Sequence, residues 1–374
     1  MRFNVSSASL SAKLQTISKV QVSKSSVSIL ENILFRMTDS GLQLTASDNE
    51  NTIITYVETT DSDYQGQFCI KSKTIIDAIK EIPDQPITIE VNDETKEIHL
   101  SYQNGHYDLG GVPADDFPEV PTDIEALASI TISDKALLTG ISRCIFATAS
   151  DEIRPIMNGI FFDVTTAGTT FVASDGRKLV RNANMNVKGD NDTSFILPKK
   201  PAQLIKNMIS GDDLQTTINI SQKSAVIHLP EYTMVCRLIE GRFPNYNSVI
   251  PTDNPYYATI DRMSFISALR RVLVCANEAS GLVKLQFENN TLLVSCKGID
   301  LASGAEESII CEYSGNPIKI GFTGSFLLDI LNNMGSESVT IKLADPSRAG
   351  VIVPTEQEEG EDLLMLLMPM LINE

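Results

Sequence analysis

The residues of this 374-residue chain that could carry chemistry are few: three histidines, six cysteines, two Asp-Asp pairs and one Ser-Asp-Asn triplet. Asp115-Asp116 and Asp212-Asp213 sit where turns are expected, and adjacent side chains on an extended chain point to opposite faces, a poor start for a shared metal. His99, His106 and His228 have no His-Glu-x-x-His neighbour and no cysteine at ligand spacing. Ser47-Asp48-Asn49 matches one β-lactamase element, but the companion Ser-x-x-Lys is missing. No glycine is followed by another two residues on, and Gly-Lys never occurs, so neither a dinucleotide fingerprint nor a phosphate-cradling P-loop is present. The chain therefore reads as a protein without a catalytic site and without a cofactor.

Cysteines 69, 144, 236, 275, 296 and 311 lie far apart with no Cys-x-x-Cys, the pattern of reduced, buried thiols in a cytoplasmic protein. A hydrophobic content of 42% with 21% charged residues excludes wholesale disorder and suffices for two or three domains. The most apolar run, Leu363 to Ile372, is interrupted by Pro369 and falls short of the roughly 18 residues of a membrane span. The N-terminus, Met1-Arg2-Phe3-Asn4-Val5-Ser6, has no signal-peptide core. The formal charge of −18 argues against a protein that is basic all over, yet leaves room for one basic face.

Three tandem repeats position these residues. Asn32-Ile33-Leu34-Phe35 recurs as Asn158-Gly159-Ile160-Phe161, Ala46-Ser47-Asp48 as Ala173-Ser174-Asp175, and Phe117-Pro118 as Phe243-Pro244, each about 126 residues later. Ile75-Ile76-Asp77 is echoed by Leu327-Leu328-Asp329 at twice that offset. Each third begins with a helical spacing (Leu10, Leu14, Ile17; Leu137, Ile141, Cys144; Phe265, Leu269, Val272) and carries a second one midway (Ile75, Ile76, Ile79; Leu204, Ile205, Met208; Phe326, Ile330, Met334). Alternating strands fill the remainder, so the expected fold is α+β, with two helices per third against antiparallel sheets. Proline-bearing links at Val112 to Thr122 and Arg242 to Pro255 suggest domains at 1–122, 128–250 and 253–374.

The charge is unevenly divided. Helical stretches 8–24, 71–81, 133–145, 198–209, 261–273 and 323–334 together carry +9, so the remainder carries −27. Lysine and arginine are good helix formers, but so is glutamate, which is nearly absent from these six segments. That asymmetry points to a helix-lined face that meets phosphates, and the lack of aromatic platforms makes such contact independent of sequence.

Asn32-Ile33-Leu34, Ala-Ser-Asp-Gly-Arg-Lys-Leu at 173–179, Glu-Gly-Arg-Phe-Pro-Asn-Tyr at 240–246 and Met-Pro-Met at 368–370 give the chain, over its whole length, a close resemblance to the bacterial sliding clamp, the β subunit of DNA polymerase III. The resemblance implies a head-to-tail homodimer, a six-domain closed ring whose twelve helices surround duplex DNA, and the role of processivity factor. Its partners would be double-stranded DNA, a second copy, the replicative polymerase, an ATP-driven loader and other proteins bearing a short clamp-binding peptide. Lys13, Lys24, Lys73, Arg143, Lys199, Lys200, Lys206, Arg270 and Arg271 are then the DNA-facing residues, Lys24 at a family contact position. The family's peptide pocket maps onto Arg154, Met157, Ser174, Gly176, Arg177, Leu179, Pro244, Val249, Leu366, Met368, Pro369 and Met370. The ring seam maps onto an edge strand with Tyr107 and Leu109, against a helix end at Val274 and Cys275. Arg177 replaces the family's common His, and Leu371 its usual Arg, which alters the pocket's polar rim. The acidic stretch Glu356 to Asp362 reads as a solvated hairpin turn. The rival readings are a three-repeat cytoplasmic scaffold that never encircles DNA, and an enzyme on an unfamiliar repeat.

Overall fold

The computed structural model describes residues 1–374 except 23, 63–64, 278, 299–302 and 373–374. The chain forms two compact units, Met1–Lys135 with Gln203–Leu238, and Ala136–Ala202 with Ile239–Glu374, so the middle third contributes to both. Among the described residues its α-helices are α1 (Ser7–Ile17), α2 (Ser72–Lys80), α3 (Asp134–Cys144), α4 (Lys199–Met208), α5 (Arg262–Leu273) and α6 (Gly324–Asn332), two in each third as the periodicity predicts.

The first unit is built on one antiparallel sheet of twelve strands. Its spatial order runs Arg2–Ser6, Pro86–Val91, Glu97–Tyr102, Gly105–Val112, Gln67–Lys71, Asn32–Thr38, Gly41–Ser47 and Asn51–Val57. It continues without a break through Tyr232–Arg237, Ser224–His228, Gln215–Ile220 and Ala128–Ser133. Helices α1 and α2 pack on each other, and α1 also packs on Asn51–Val57. Helix α1 buries Leu10, Leu14 and Ile17 completely, each worth roughly 1.5–3 kcal/mol of transfer free energy. Ser6 caps it, its Oγ accepting from the Ser9 N–H at 3.3 Å. The helix stops at Ile17 instead of continuing to Lys24: Ser18 Oγ donates to the Gln15 carbonyl at 3.1 Å and a 3₁₀ turn, Ser18–Val20, follows.

The second unit holds a nine-stranded antiparallel sheet, in the order Thr193–Pro198, Gly159–Val164, Thr169–Ser174, Lys178–Asn184, Glu361–Leu367, Gly350–Pro354, Ser338–Leu343, Tyr256–Asp261 and Glu312–Ser314. A separate four-stranded sheet runs Gly304–Ile310, Thr291–Lys297, Leu282–Glu288, Ile318–Thr323. Helices α5 and α6 pack together, α5 burying Phe265, Leu269 and Val272 at the expected spacing. Asp261 caps α5 by accepting from the Ser264 N–H at 2.7 Å, and hydrogen bonds from Ser264 hold this carboxyl below the usual carboxylate range.

The repeat is visible in atomic detail. Asp48 Oδ1 accepts from the N–H groups of Glu50 and Asn51, and Asp175 Oδ1 accepts from those of Arg177 and Lys178. In both turns the preceding serine hydroxyl donates to the carbonyl four residues on, Ser47 to Asn51 and Ser174 to Lys178. All six cysteines are free; five are buried, and burial pushes the thiols of Cys69 and Cys236 up to about 12. Among the described residues, no helix is long and apolar enough to cross a membrane.

Candidate functional sites

Three arrangements matter, and the first is an apolar patch in the second unit. Strands Lys178–Asn184 and Glu361–Leu367 pair so that Leu179 lies opposite Leu366, which puts both side chains on one face. Each is only 3% exposed, and they form a floor with Val172, Ile196, Phe243 and Ala349. Ile156, Ile239, Tyr246, Ile250 and Leu364, half-buried, pack against that floor. Phe161 stacks on Phe243 with centroids 4.9 Å apart, and Tyr246 donates its hydroxyl proton to Asp163 Oδ2 at 3.0 Å, which fixes the segment after Phe243-Pro244. Val249, at the end of a 3₁₀ turn in that segment, is 57% exposed, and Pro244 is exposed too.

The rim of the patch is polar. The turn Asp175–Lys178 projects Gly176 and Arg177 into solvent, while Arg154 donates to the Asp175 carbonyl at 3.2 Å and to Asp151 Oδ2 at 3.0 Å. Gly176 has φ +85°, a left-handed conformation that favours glycine, and a Cβ there would sit 2.7 Å from Arg154 Nη1, the movable end of an exposed side chain. Beneath the turn, Lys178 is a buried cation, 2.7 Å from Asp175 Oδ2 and 3.9 Å from the Phe326 ring centroid. Burial pushes the Asp175 carboxyl up, but the Lys178 ammonium and the Lys178 and Arg177 amides outweigh it and hold it below the usual range. The Arg177 carbonyl accepts from the Met368 N–H at 2.8 Å, which ties the chain end to the turn.

Sequence reasoning treats the twelve pocket residues as one lining; the structure sorts them. Leu179 and Leu366 belong to the floor, and Ser174 is buried as a turn-holder. Arg154, Gly176, Arg177, Pro244, Val249 and Met368 are exposed, while Met157 and Pro369 are half-buried. Met370 is drawn elsewhere: its N–H donates to the Gly321 carbonyl at 2.8 Å and its sulfur accepts from Thr323 Oγ1 at 3.1 Å. Phe243, Ile239, Tyr246 and Ile250 were missed, although the Phe-Pro motif lies within their segment.

The basic residues also separate. Lys13 is largely covered, 2.7 Å from Glu231 Oε2 and 4.4 Å above the Tyr232 ring. Arg143 is 13% exposed and held by Glu358 at 2.9 Å, Asn182 at 3.1 Å and Glu361. Arg271 forks onto Glu307 at 2.6 and 2.8 Å but stays exposed. Lys73, Lys206 and Arg270 are exposed on their helices, Lys199 and Lys200 are half-buried at the start of α4, and Lys24 is exposed in a connection beyond α1. The acidic stretch 356–362 is not a merely solvated turn, because Glu358 and Glu361 receive Arg143, and Asp362 receives Arg181.

The third arrangement is a pair of open sheet edges. Strand Gly105–Val112 pairs with Glu97–Tyr102 from Gly105 to Gly110, and with Gln67–Lys71 only at Gly111 and Val112. From Gly105 to Gly110 its outer edge has no ladder partner among the described residues, and Tyr107 and Leu109 lie half-buried along it. Strand Gly304–Ile310, not anticipated from sequence, is the edge of the four-stranded sheet. Val274, the C-cap of α5, is 84% exposed, and Cys275 beside it is half-buried. Unpaired edges of this kind are templates for strand addition by another chain.

Comparison with known proteins covers all of these regions. Residues 1–121, 131–245 and 247–370 match, in turn, the N-terminal, central and C-terminal domains of the DNA polymerase III beta subunit. The beta sliding clamp of Pseudomonas aeruginosa is 25% identical over 371 residues, spanning 99% of this chain and 100% of that protein. The Synechococcus elongatus beta sliding clamp is 27% identical over 355 residues, spanning 92% and 93%. A crystal structure of the P. aeruginosa clamp bound to griselimycin superposes with a TM-score of 0.93 at 25% identity, each chain covered in full. The Bacillus subtilis polymerase sliding clamp, 21% identical and also fully covered, gives 0.92 and testifies to the fold alone.

Proposed function

The chain belongs to the DNA polymerase III β-subunit family, the sliding clamps, and from that premise we propose that it is the processivity clamp of DNA replication, a non-catalytic accessory subunit acting in the cytoplasm. The observation that carries this reading is the match of all three clamp domains, in order, along nearly the whole chain. The three-repeat scaffold that never meets DNA is not favoured by it.

In this reading the domains are 1–122, 128–250 and 253–374, and two chains close head to tail into a ring around duplex DNA. A protein of net charge −18 is repelled at long range by a polyanion, so retention must come from topology, with weak, sequence-independent contacts inside. Lys24, Lys73, Lys199, Lys200, Lys206 and Arg270 are the contacts we assign, with Arg271 available through exchange of its surface ion pair. Lys13 and Arg143 are left out, since carboxylates already hold them. The seam joins the open edge at Tyr107 and Leu109 of one chain to the surface around Val274 and Cys275 of the other, two unlike surfaces whose rotation closes after two copies. The patch over Leu179 and Leu366, rimmed by Arg154, Arg177, Pro244, Val249 and Met368, receives an apolar anchor from a partner's linear peptide, the polymerase and the clamp loader among them.

Loading the chain onto nicked circular DNA tests the proposal. Retention should persist at salt that screens electrostatics and end when the circle is cut. Equal retention on circles and on linear DNA with free ends would overturn encirclement.

A further inference from the structure

Two of the chain's three histidines lie in one hairpin, on the face opposite Tyr107 and Leu109. Strands Glu97–Tyr102 and Gly105–Val112 pair His99 with Asp108 and Ser101 with His106, so His99, His106 and Asp108 project from the same side. His99 Nδ1 is 2.6 Å from Asp108 Oδ1, and His106 Nε2 is 3.5 Å from Asp108 Oδ2. The two imidazole rings are 4.9 Å apart, and the three donor atoms all lie within 4.8 Å of one another.

A tetrahedral zinc ion with bonds of about 2.0–2.2 Å holds its ligand atoms about 3.3 Å apart, so the observed separations need only small adjustments. All three side chains are substantially exposed, which leaves them free to make those adjustments and leaves further coordination positions to water. Two imidazoles and one carboxylate form a donor set for borderline transition ions, whereas calcium and magnesium require mostly oxygen. The nearest additional carboxylate in register, Glu90, pairs with Arg2 at 3.3 Å.

We propose that His99, His106 and Asp108 form a surface site for a divalent transition-metal ion of the zinc type, clipping together the two strands of the hairpin that ends the first domain's open edge. The site does not depend on the clamp reading, because its ligands face away from Tyr107 and Leu109. Pairing of the acid with the two rings is what holds the cluster without metal; the ion would replace it with bonds to all three.

The test is a calorimetric titration of zinc chloride into the metal-stripped full chain carrying Cys275→Ser, which removes the one thiol that is not buried. One ion should bind per chain at pH 7.5. Affinity should fall roughly ten-fold or more in His99→Ala, in His106→Ala and in Asp108→Asn, and remain unchanged in His228→Ala. Zinc should also slow amide exchange across 97–112 in the parent and not in the three variants. Absence of binding, or affinity that survives His99→Ala and His106→Ala, would overturn the proposal. Because these side chains are exposed, matching thermal unfolding midpoints for parent and variants would assign the loss to the missing ligand.

Discussion

Asp175→Asn probes the turn that carries the rim of the apolar patch. The asparagine oxygen can still accept from the Arg177 and Lys178 amides, so the turn itself survives. What disappears is the counter-charge 2.7 Å from Lys178 Nζ, and Lys178 is only 6% exposed. Removing one partner of a buried pair costs about 3–5 kcal/mol. The Phe326 face 3.9 Å away remains, and cation–π attraction at a desolvated site is worth up to about 2 kcal/mol, so the low end, about 3 kcal/mol, is expected. Asp175→Asn combined with Lys178→Met removes both charges and keeps a flexible apolar chain against Phe326, a replacement that is often neutral. The double variant should therefore recover at least about 2 kcal/mol of the loss. Native-state hydrogen exchange in strand Lys178–Asn184 reads these changes locally. In the parent, the depressed Asp175 pKa contributes stability above the unfolded value near 3.9, and that contribution is lost as pH falls through the lower folded value. Protection of this strand relative to the intrinsic exchange rate should fall below about pH 4 in the parent, and Asp175→Asn should lack that step. A single variant within about 0.5 kcal/mol of the parent, or a double variant no better than the single, would refute the buried-pair argument.

Three further outcomes are expected. Val249→Asp puts a charge at an exposed rim position without disturbing the floor, and should weaken a fluorescent clamp-binding peptide by about 2 kcal/mol, near thirty-fold; unchanged anisotropy titrations would relocate the site. Replacing Lys24, Lys73, Lys206 and Arg270 by Ala should flatten the salt dependence of DNA association by roughly 0.9 for each phosphate that is no longer neutralised, equally on unrelated sequences; a weakening confined to one sequence would contradict non-specific binding. Leu109→Asp with Val274→Asp should give folded monomers by native mass, and an intact dimer would place the seam elsewhere.

Much of the architecture is legible in the sequence because its causes are local. The spacing of Leu10, Leu14 and Ile17, or of Phe265, Leu269 and Val272, announces a helix with one buried face, and these residues are buried. The repeated Ala-Ser-Asp marks a recurring serine- and aspartate-bonded turn, and Phe117 and Phe243 are both buried before their prolines. The end of α1 is less legible, because the back-bonding of Ser18 competes with a pattern that remains weakly helical to Lys24. The fate of individual charges is not legible at all. Lys13 meets Glu231, and Arg143 meets Glu361, across 218 positions in each case, and no local rule couples residues so distant. Helix membership therefore does not tell which cations are held by carboxylates. The same long range hides the floor of the apolar patch, where Leu179 finds Leu366 only through strand pairing.

The continuous ladder of the first unit also governs where the polypeptide can be divided. Strand Asn51–Val57 belongs to the first third and Tyr232–Arg237 to the second, yet they pair residue by residue from Asn51 with Cys236 to Thr55 with Tyr232. A gene fragment ending after the first third would expose the whole of Asn51–Val57, a strand of mostly buried residues, as a bare edge. Such a fragment would recruit strands from its neighbours and accumulate as insoluble assemblies, even with its helices and local turns intact. Expression of single repeats, split reporters and interrupted genes for this chain should accordingly respect the sheet boundary and not the sequence period, keeping 203–238 with 1–135.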